Sequence, residues 1–221
     1  MIITVNGVSL FYEVTGAGSP LLMLHGNGED HTIFDKLTAK LSANYTVYAI
    51  DSRGHGQSEK TDDYSYETMA EDVYAFIQKL SLEDVNLVGF SDGAIIGLML
   101  AMEHSEVVGK MALLGINLSP KDFTEDSYQY VKETYEETKD PLFKLMLEQP
   151  NIELHDVRKV DTPIFLVAAD DDIFKSESFR NLASALPNAK LKFMEGHDHD
   201  SYISNQDILY PDLIRFFESN E

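Results

Sequence analysis

The sequence predicts an α/β fold, in which helices cover both faces of a mostly parallel central sheet. Short runs rich in Val, Leu and Ile alternate along the chain with longer segments whose apolar residues recur at helical spacing. Runs that are apolar at nearly every position are typical of parallel strands buried on both faces. Because the 221 residues are 43% hydrophobic, we expect one sizeable core and a single domain over residues 1–221.

The predicted elements begin with a hairpin and continue as alternating strands and helices. Asn6-Gly7 suits the two-residue turn between strands at 2–5 and 8–14. Further strands are predicted at 20–24, 45–50, 84–88, 108–116, 162–169 and 190–194. Helices are predicted from Asp30 or Thr32, after the capping residue Ser65, at 94–102 and at 176–186.

The stretch Gly89-Phe90-Ser91-Asp92-Gly93 lies between a predicted strand and a predicted buried helix. The turn between them must be tight, and it forces the residue at its apex toward positive φ. The two glycines remove side chains that would collide there. Ser91 is then expected to project its hydroxyl above the carboxyl edge of the sheet, with the first helix amides directed at the group it attacks. The pattern therefore predicts a nucleophile elbow.

Four features in this order resemble the α/β-hydrolase family over nearly the whole chain. They are His25-Gly26-Asn27-Gly28 after one strand, the D-x-R-G-x-G-x-S string at 51–58, the elbow, and a late acid and histidine. The resemblance implies an oxyanion hole made of the backbone N–H groups of Asn27 and Asp92. It also implies that residues 117–160 form a small cap insertion over the site. We expect His25, Arg53 and His55 to be structural.

The acid and the base are chosen from two crowded turns. Asp170, Asp171 and Asp172 follow one predicted strand, and His197 and His199 follow the last one. The resemblance favours Asp172 as the acid, with Asp170 as the alternative, and it favours His199 over His197 as the base. Two histidines at this spacing near aspartates also suit a divalent metal. The serine already supplies a nucleophile, however, so we expect neither a metal nor a cofactor.

These residues predict a serine hydrolase of the carboxylesterase type, which cleaves an ester or related acyl bond of a small substrate through an acyl-serine. Its activity is expected to rise with pH near the usual histidine pKa of about 6.5. Four alternatives remain open: a C–C bond hydrolase, a cofactor-free perhydrolase or a lyase with the same triad, and a non-catalytic ligand receptor of the same fold.

The charge of the chain limits its expected partners. Lys and Arg total 17 against 38 Asp and Glu, which gives a formal net charge of −21. Nucleic acids and anionic membranes are therefore not expected as partners, and neutral or cationic esters are favoured over anionic ones such as coenzyme A thioesters. The absence of cysteine, of a signal-peptide pattern and of any apolar run near the roughly 20 residues that span a bilayer predicts a cytoplasmic protein.

Overall fold

Residues 1–219, the part that this computed structural model describes, contain one eight-stranded sheet. The strand order is β1-β2-β4-β3-β5-β6-β7-β8, with β1 and β2 antiparallel to their neighbours and the rest parallel. The strands are β1 Ile2–Val5, β2 Val8–Gly16, β3 Ser19–Leu24, β4 Tyr45–Ile50, β5 Val85–Phe90, β6 Val108–Leu114, β7 Ile164–Asp171 and β8 Ala189–Asp198. The predicted fold class is confirmed.

Helices alternate with the strands along the chain, and several of them pack on the sheet. They are α1 Asp35–Leu41, α2 Tyr66–Lys79, α3 Asp92–Glu103, α4 Glu125–Thr138, α5 Pro141–Glu148, α6 Leu154–Val157, α7 Ser176–Ala185 and α8 Tyr210–Phe217. Among the helices within residues 1–219, none has both the length and the apolar character needed to span a bilayer. The predicted cap segment, residues 117–160, contains α4, α5 and α6 and lies between β6 and β7 in the chain.

The apolar core lies on both faces of the sheet. Successive side chains of a strand point to opposite faces, and in β3 Leu21 and Met23 join one buried cluster while Leu22 and Leu24 join the other. Helices α1 and α8 cover the first face, and α2, α3 and α7 cover the second. Burial on both faces explains why the central strands are apolar at consecutive positions.

Two parts of the prediction are wrong: the end of strand β8 and the number of helices. Strand β8 continues to Asp198, four residues past its predicted end, and pairs Asp198 with Asp171. The prediction fails because β8 is an edge strand, and its last residues, 195–198, are polar or glycine and half-exposed or exposed, so they lack an apolar pattern. Helices α6 and α8 are absent from the prediction. Buried Leu213 and Phe217, four residues apart, were a usable helical signal in α8.

Candidate active site

Ser91 lies at the turn between β5 and α3 in a strained backbone conformation. Its φ is 51° and its ψ is −115°, a region that residues other than glycine seldom occupy. Its N–H donates to the carbonyl of Leu114 in the neighbouring strand β6 at 2.8 Å, which helps to hold the strained turn. The geometry is that of the predicted nucleophile elbow.

The two elbow glycines allow β5 and α3 to approach closely. A Cβ atom on Gly93 would lie 2.0 Å from the carbonyl oxygen of Leu24 in β3, and a Cβ on Gly89 would lie 2.4 Å from the carbonyl oxygen of Gly93. Both obstacles are backbone atoms, which cannot rotate away. A side chain at either position would therefore push the start of α3 away from the sheet and displace Ser91.

His199 lies in the turn after β8, between Ser91 and Asp172. Its Nε2 is 3.1 Å from the Ser91 hydroxyl oxygen, and its Nδ1 is 2.8 Å from Asp172 Oδ1. The rings of Phe90 and Phe174 pack against the imidazole, with centroid distances of 4.9 and 5.4 Å. Gly115 leaves the space for it, because a Cβ there would lie 2.7 Å from His199 Cε1. The structure thus brings together the three predicted catalytic side chains.

The carboxylate of Asp172 is buried and held by the backbone. Its Oδ2 accepts from the Ala169 N–H at 3.1 Å, and its Oδ1 accepts from the Phe174 N–H at 3.2 Å. Asp170, the alternative acid, is exposed, and both of its oxygens accept from the Gly196 N–H, at 3.0 and 3.1 Å. Asp172 therefore faces the imidazole, whereas Asp170 ties β7 to the segment that leads to His199.

His197 does not share the contacts of His199, and the cluster with metal-ligand spacing lies elsewhere in the structure. His197 Nδ1 lies 3.1 Å from the Ser201 hydroxyl oxygen. Among residues 1–219, the one cluster with metal-ligand spacing is instead Asp30, His31 and Asp51, whose ligand atoms lie within 4.8 Å of one another. There Asp51 Oδ1 accepts from the His31 N–H at 2.8 Å and lies 2.7 Å from His31 Nδ1. These hydrogen bonds already engage the group and brace the loop after β4.

Asn27 and Asp92, whose N–H groups are the predicted oxyanion donors, also bind each other through their side chains. Asn27 Nδ2 donates to Asp92 Oδ2 at 3.0 Å and to the carbonyl of Leu142 in α5 at 3.1 Å. Within residues 1–219, neither backbone N–H donates to another protein group. Two unengaged amides, one on a residue of the cavity wall and one on the residue after Ser91, are compatible with the predicted oxyanion hole. The Asn27 side chain ties together the segments that carry them.

A buried tyrosine also binds the Asp92 carboxylate. Tyr66 at the start of α2 donates its hydroxyl to Asp92 Oδ1 at 2.8 Å. Burial raises the pKa of Asp92, and the hydrogen bonds from Tyr66 and Asn27 act in the opposite direction. Sequence reasoning missed the role of Tyr66, because nothing in the chain relates it to a residue 26 positions away.

We expect Asn27→Ala to lower the free energy of unfolding by about 1–3 kcal/mol, because it removes a donor from a buried carboxylate oxygen of Asp92. Urea unfolding measures the effect. The matched control is Asn44→Ala, which removes a solvent-exposed hydrogen bond to Glu218 and should change stability by less than about 0.5 kcal/mol. Equal effects of the two variants would contradict a structural role for the Asn27 side chain.

His25 braces the loop that carries Asn27. Its Nε2 accepts from the Ser52 N–H at 3.0 Å, and its Nδ1 lies 2.7 Å from the Gly26 carbonyl oxygen, so a neutral ring protonated on Nδ1 satisfies both contacts. Burial, together with the nearby His55, lowers the pKa of His25 to about 4. Arg53 binds the Asp72 carboxylate of α2 through two nitrogens, at 2.7 and 2.9 Å. These contacts are structural in kind.

The depressed pKa of His25 predicts a pH-dependent stability. Between about pH 4 and pH 6.5 the unfolded chain protonates this histidine and the folded chain does not, so its contribution to stability grows as the pH rises. The stability difference between wild type and His25→Gln should therefore be larger at pH 7 than at pH 4.5 by about 2–3 kcal/mol. Chemical denaturation at both values measures it.

The comparison with a variant is needed because Glu29 changes the stability of the wild type with pH in the opposite direction. Its raised pKa makes the folded chain bind the extra proton between about pH 4.5 and 7. His155→Gln serves as the control, since it removes an exposed histidine. A wild-type to His25→Gln difference that is the same at both pH values would contradict the assignment of His25 as a buried neutral ring.

A cavity of about 730 Å³ opens above Ser91 and His199. The core side of its wall includes Phe90 and Ile173, and helices α4 and α5 of the predicted cap segment supply the other side. The lining side chains from these helices are Asp126, Ser127, Tyr130, Val131, Phe143 and Met146. Glu29, which sequence reasoning missed, also lines the cavity. Its position one residue after the His25–Gly28 motif was the available signal.

Comparison with known proteins decides the family. The sequence model of the α/β-hydrolase fold matches residues 19–141, more than half of the chain. The chain belongs to the α/β-hydrolase family. This α/β-hydrolase is 35% identical to human serine hydrolase BPHL over 63% of its own length and 52% of that protein. It is 28% identical to non-heme chloroperoxidase CPO-A1 of Kitasatospora aureofaciens, over 89% of this chain and 90% of that one.

Solved structures similar to this α/β-hydrolase support its fold but carry no information on its activity. The enol-lactonase from Burkholderia xenovorans LB400 superimposes with a TM-score of 0.83 over 99% of this chain and 100% of the other, at 20% identity. At that identity the likeness concerns the fold alone. The chain spans only 35% to 52% of the length of six of its curated relatives.

Proposed function

We propose that this α/β-hydrolase is a serine hydrolase of the carboxylesterase type, which cleaves the ester of a small substrate through an acyl-serine intermediate. The observation that carries the proposal is the 3.1 Å contact between the Ser91 hydroxyl and His199 Nε2, with Asp172 on the other ring nitrogen. A hydroxyl is a weak nucleophile until an adjacent base accepts its proton. His199 occupies the position of that base.

The first half of the reaction forms the acyl-serine. His199 Nε2 takes the Ser91 proton while the serine oxygen attacks the ester carbonyl, and Asp172 stabilises the imidazolium that results. Negative charge develops on the carbonyl oxygen, where the N–H groups of Asn27 and Asp92 receive it. One such donor lowers the barrier by about 3 kcal/mol. The imidazolium then gives its proton to the departing alcohol.

The second half releases the acid. Water enters beside His199, loses a proton to Nε2 and attacks the acyl-serine. The second tetrahedral intermediate then collapses to the acid while the imidazolium returns its proton to the departing Ser91 oxygen. The roughly 730 Å³ cavity suits a small ester. Its lining side chains from α4 and α5 lie where acyl or alcohol groups would bind.

Labelling with a fluorophosphonate, followed by assays on nitrophenyl esters of increasing chain length, tests the proposal. We expect one covalent adduct on Ser91, saturable ester hydrolysis, and full activity in the presence of strong chelators. Failure to hydrolyse any of these esters would contradict the proposal and favour a ligand-binding role. Loss of activity on chelation would instead support the metal alternative.

A second candidate, perhydrolysis, is favoured by the similarity to the non-heme chloroperoxidase over 89% of the chain. Hydrogen peroxide would replace water as the nucleophile that attacks the acyl-serine, which would yield a peracid and free serine. Halide oxidation in the presence of peroxide and a carboxylic acid measures this activity. A rate above that of ester hydrolysis would replace the first proposal with the second.

A further inference from the structure

The charged side chains that line the cavity over Ser91 carry one sign. Glu29, Asp126 and Asp200 are acidic, and His199 is the base of the proposed reaction. None of the lining residues found in the described chain, residues 1–219, is Lys or Arg. Asp126 and Asp200 are exposed, so water and salt screen them. Glu29 is the acidic side chain that is partly withdrawn from solvent.

Glu29 lies close to the reacting serine. Its Oε2 accepts from the Gly26 N–H at 2.9 Å. A Cβ built on Gly26 would lie 2.7 Å from that oxygen and 3.1 Å from the Cβ of Ser91. The carboxylate and the serine therefore both lie next to the position that a Gly26 side chain would occupy, and both residues line the cavity. A substrate whose carbonyl sits over Ser91 is within reach of the Glu29 carboxylate.

The Glu29 carboxylate has few partners within residues 1–219. No ion pair joins Glu29 to a lysine or arginine within residues 1–219, and the Gly26 N–H is its one hydrogen-bond donor there. Withdrawal from solvent, with a smaller contribution from the nearby acids Asp200 and Asp92, raises the pKa of Glu29 to about 7, although the Gly26 N–H and His199 act in the opposite direction. A carboxylate held in this way is stabilised when a ligand brings a positive charge.

The rest of the wall suits a cation with an apolar body. Tyr130, Phe123 and Phe143 present aromatic rings to the same cavity. Aromatic faces attract ammonium groups, and quaternary ammonium ligands are commonly bound in this manner. The apolar wall and the acidic group together match cationic esters with an apolar body better than neutral or anionic esters.

We propose that the cavity selects esters that carry an ammonium group on an apolar body, and that Glu29 is the residue that binds this positive charge. The inference rests on the proposed ester hydrolysis, whose substrate class it specifies. Glu29 is thus a specificity-determining residue, distinct from Ser91, His199 and Asp172.

Two matched pairs of esters test this inference. In one pair choline benzoate is compared with 3,3-dimethylbutyl benzoate, which has the same shape without the charge. In the other pair the charge is on the acyl side, in the phenyl esters of 4-(trimethylammonio)butanoate and 5,5-dimethylhexanoate. The ratio of kcat/KM within a pair cancels effects common to both esters, including the ionisation of His199. We expect a ratio of about ten or more at pH 8 and low salt for at least one pair.

Glu29→Gln should bring that ratio close to one, because glutamine keeps an oxygen acceptor for the Gly26 N–H and loses the charge. Glu133→Gln, which removes an exposed acid of α4 outside the cavity, should leave the ratio unchanged. In the wild type the ratio should fall as the pH is lowered through about 7, since Glu29 then becomes neutral. This measurement needs no variant.

A wild type without cation preference in either pair, a preference that survives Glu29→Gln, or a ratio independent of pH would each overturn the inference. Hydrolysis of the neutral esters and labelling of Ser91 would still stand in those cases. If no ester of either kind is hydrolysed, the proposed function itself fails.

Discussion

Ser91→Ala is expected to reduce ester turnover by about a millionfold, since the loss of the nucleophile disables all three members of a triad at once. The folded structure should persist, because the strained turn is held by backbone contacts, among them the Ser91 N–H to Leu114 hydrogen bond. Alanine also relieves none of the strain, as its Cβ meets the same positive-φ conflict. Rates are measured on the best nitrophenyl ester, and folding is followed by circular dichroism and urea unfolding.

Ser184→Ala is the control for that experiment, because Ser184 is an exposed residue of α7 that donates to the carbonyl of Arg180. It should retain wild-type turnover and fluorophosphonate labelling. Substantial turnover by well-folded Ser91→Ala would mean that another group attacks the ester. The proposed acyl-serine would then be wrong.

The second large effect is expected at His199. Its replacement by alanine removes the group that accepts the Ser91 proton, and turnover should fall by about 10⁴-fold to 10⁶-fold. His197→Ala is a closely matched control in the same turn. His197 contacts the Ser201 hydroxyl instead of Ser91, so this variant should retain turnover to within about tenfold.

Steady-state kinetics of both variants on one ester make the comparison direct. An inactive His197→Ala beside a nearly normal His199→Ala would reverse the assignment of the base. If both variants lose activity, their urea midpoints will show whether they have also lost structure. Fluorophosphonate labelling of the native fraction would then separate chemistry from folding, because the base is needed for fast modification of Ser91.

The central fold and the elbow were predictable because their causes are local. Buried parallel strands require consecutive apolar residues, and the strained turn at Ser91 requires small neighbours such as Gly89 and Gly93. Each requirement is met within a few positions of the chain. The end of β8 and the short helix α6 were not predictable in this way, because charged edge residues and a single helical turn leave little periodic signal.

The candidate site was predictable only in part. The family resemblance pointed to Asp172 and His199, while spacing alone left Asp170 and His197 as alternatives. The Asn27 to Asp92 bond joins side chains 65 positions apart, and the depth of Glu29 in the cavity depends on how the loop after β3 folds over Ser91. Contacts of this kind follow from tertiary structure, which no local pattern records.

The hydrogen bond from Asn27 to α5 affects how the sequence of this α/β-hydrolase can vary. Its acceptor is the main-chain carbonyl of Leu142, not the leucine side chain. Every amino acid offers that carbonyl, so mutation at position 142 leaves the acceptor in place as long as α5 keeps its path. The cavity-facing positions of α4 and α5 can then vary under selection for new substrates, while the loop that carries Asn27 keeps its contact with α5.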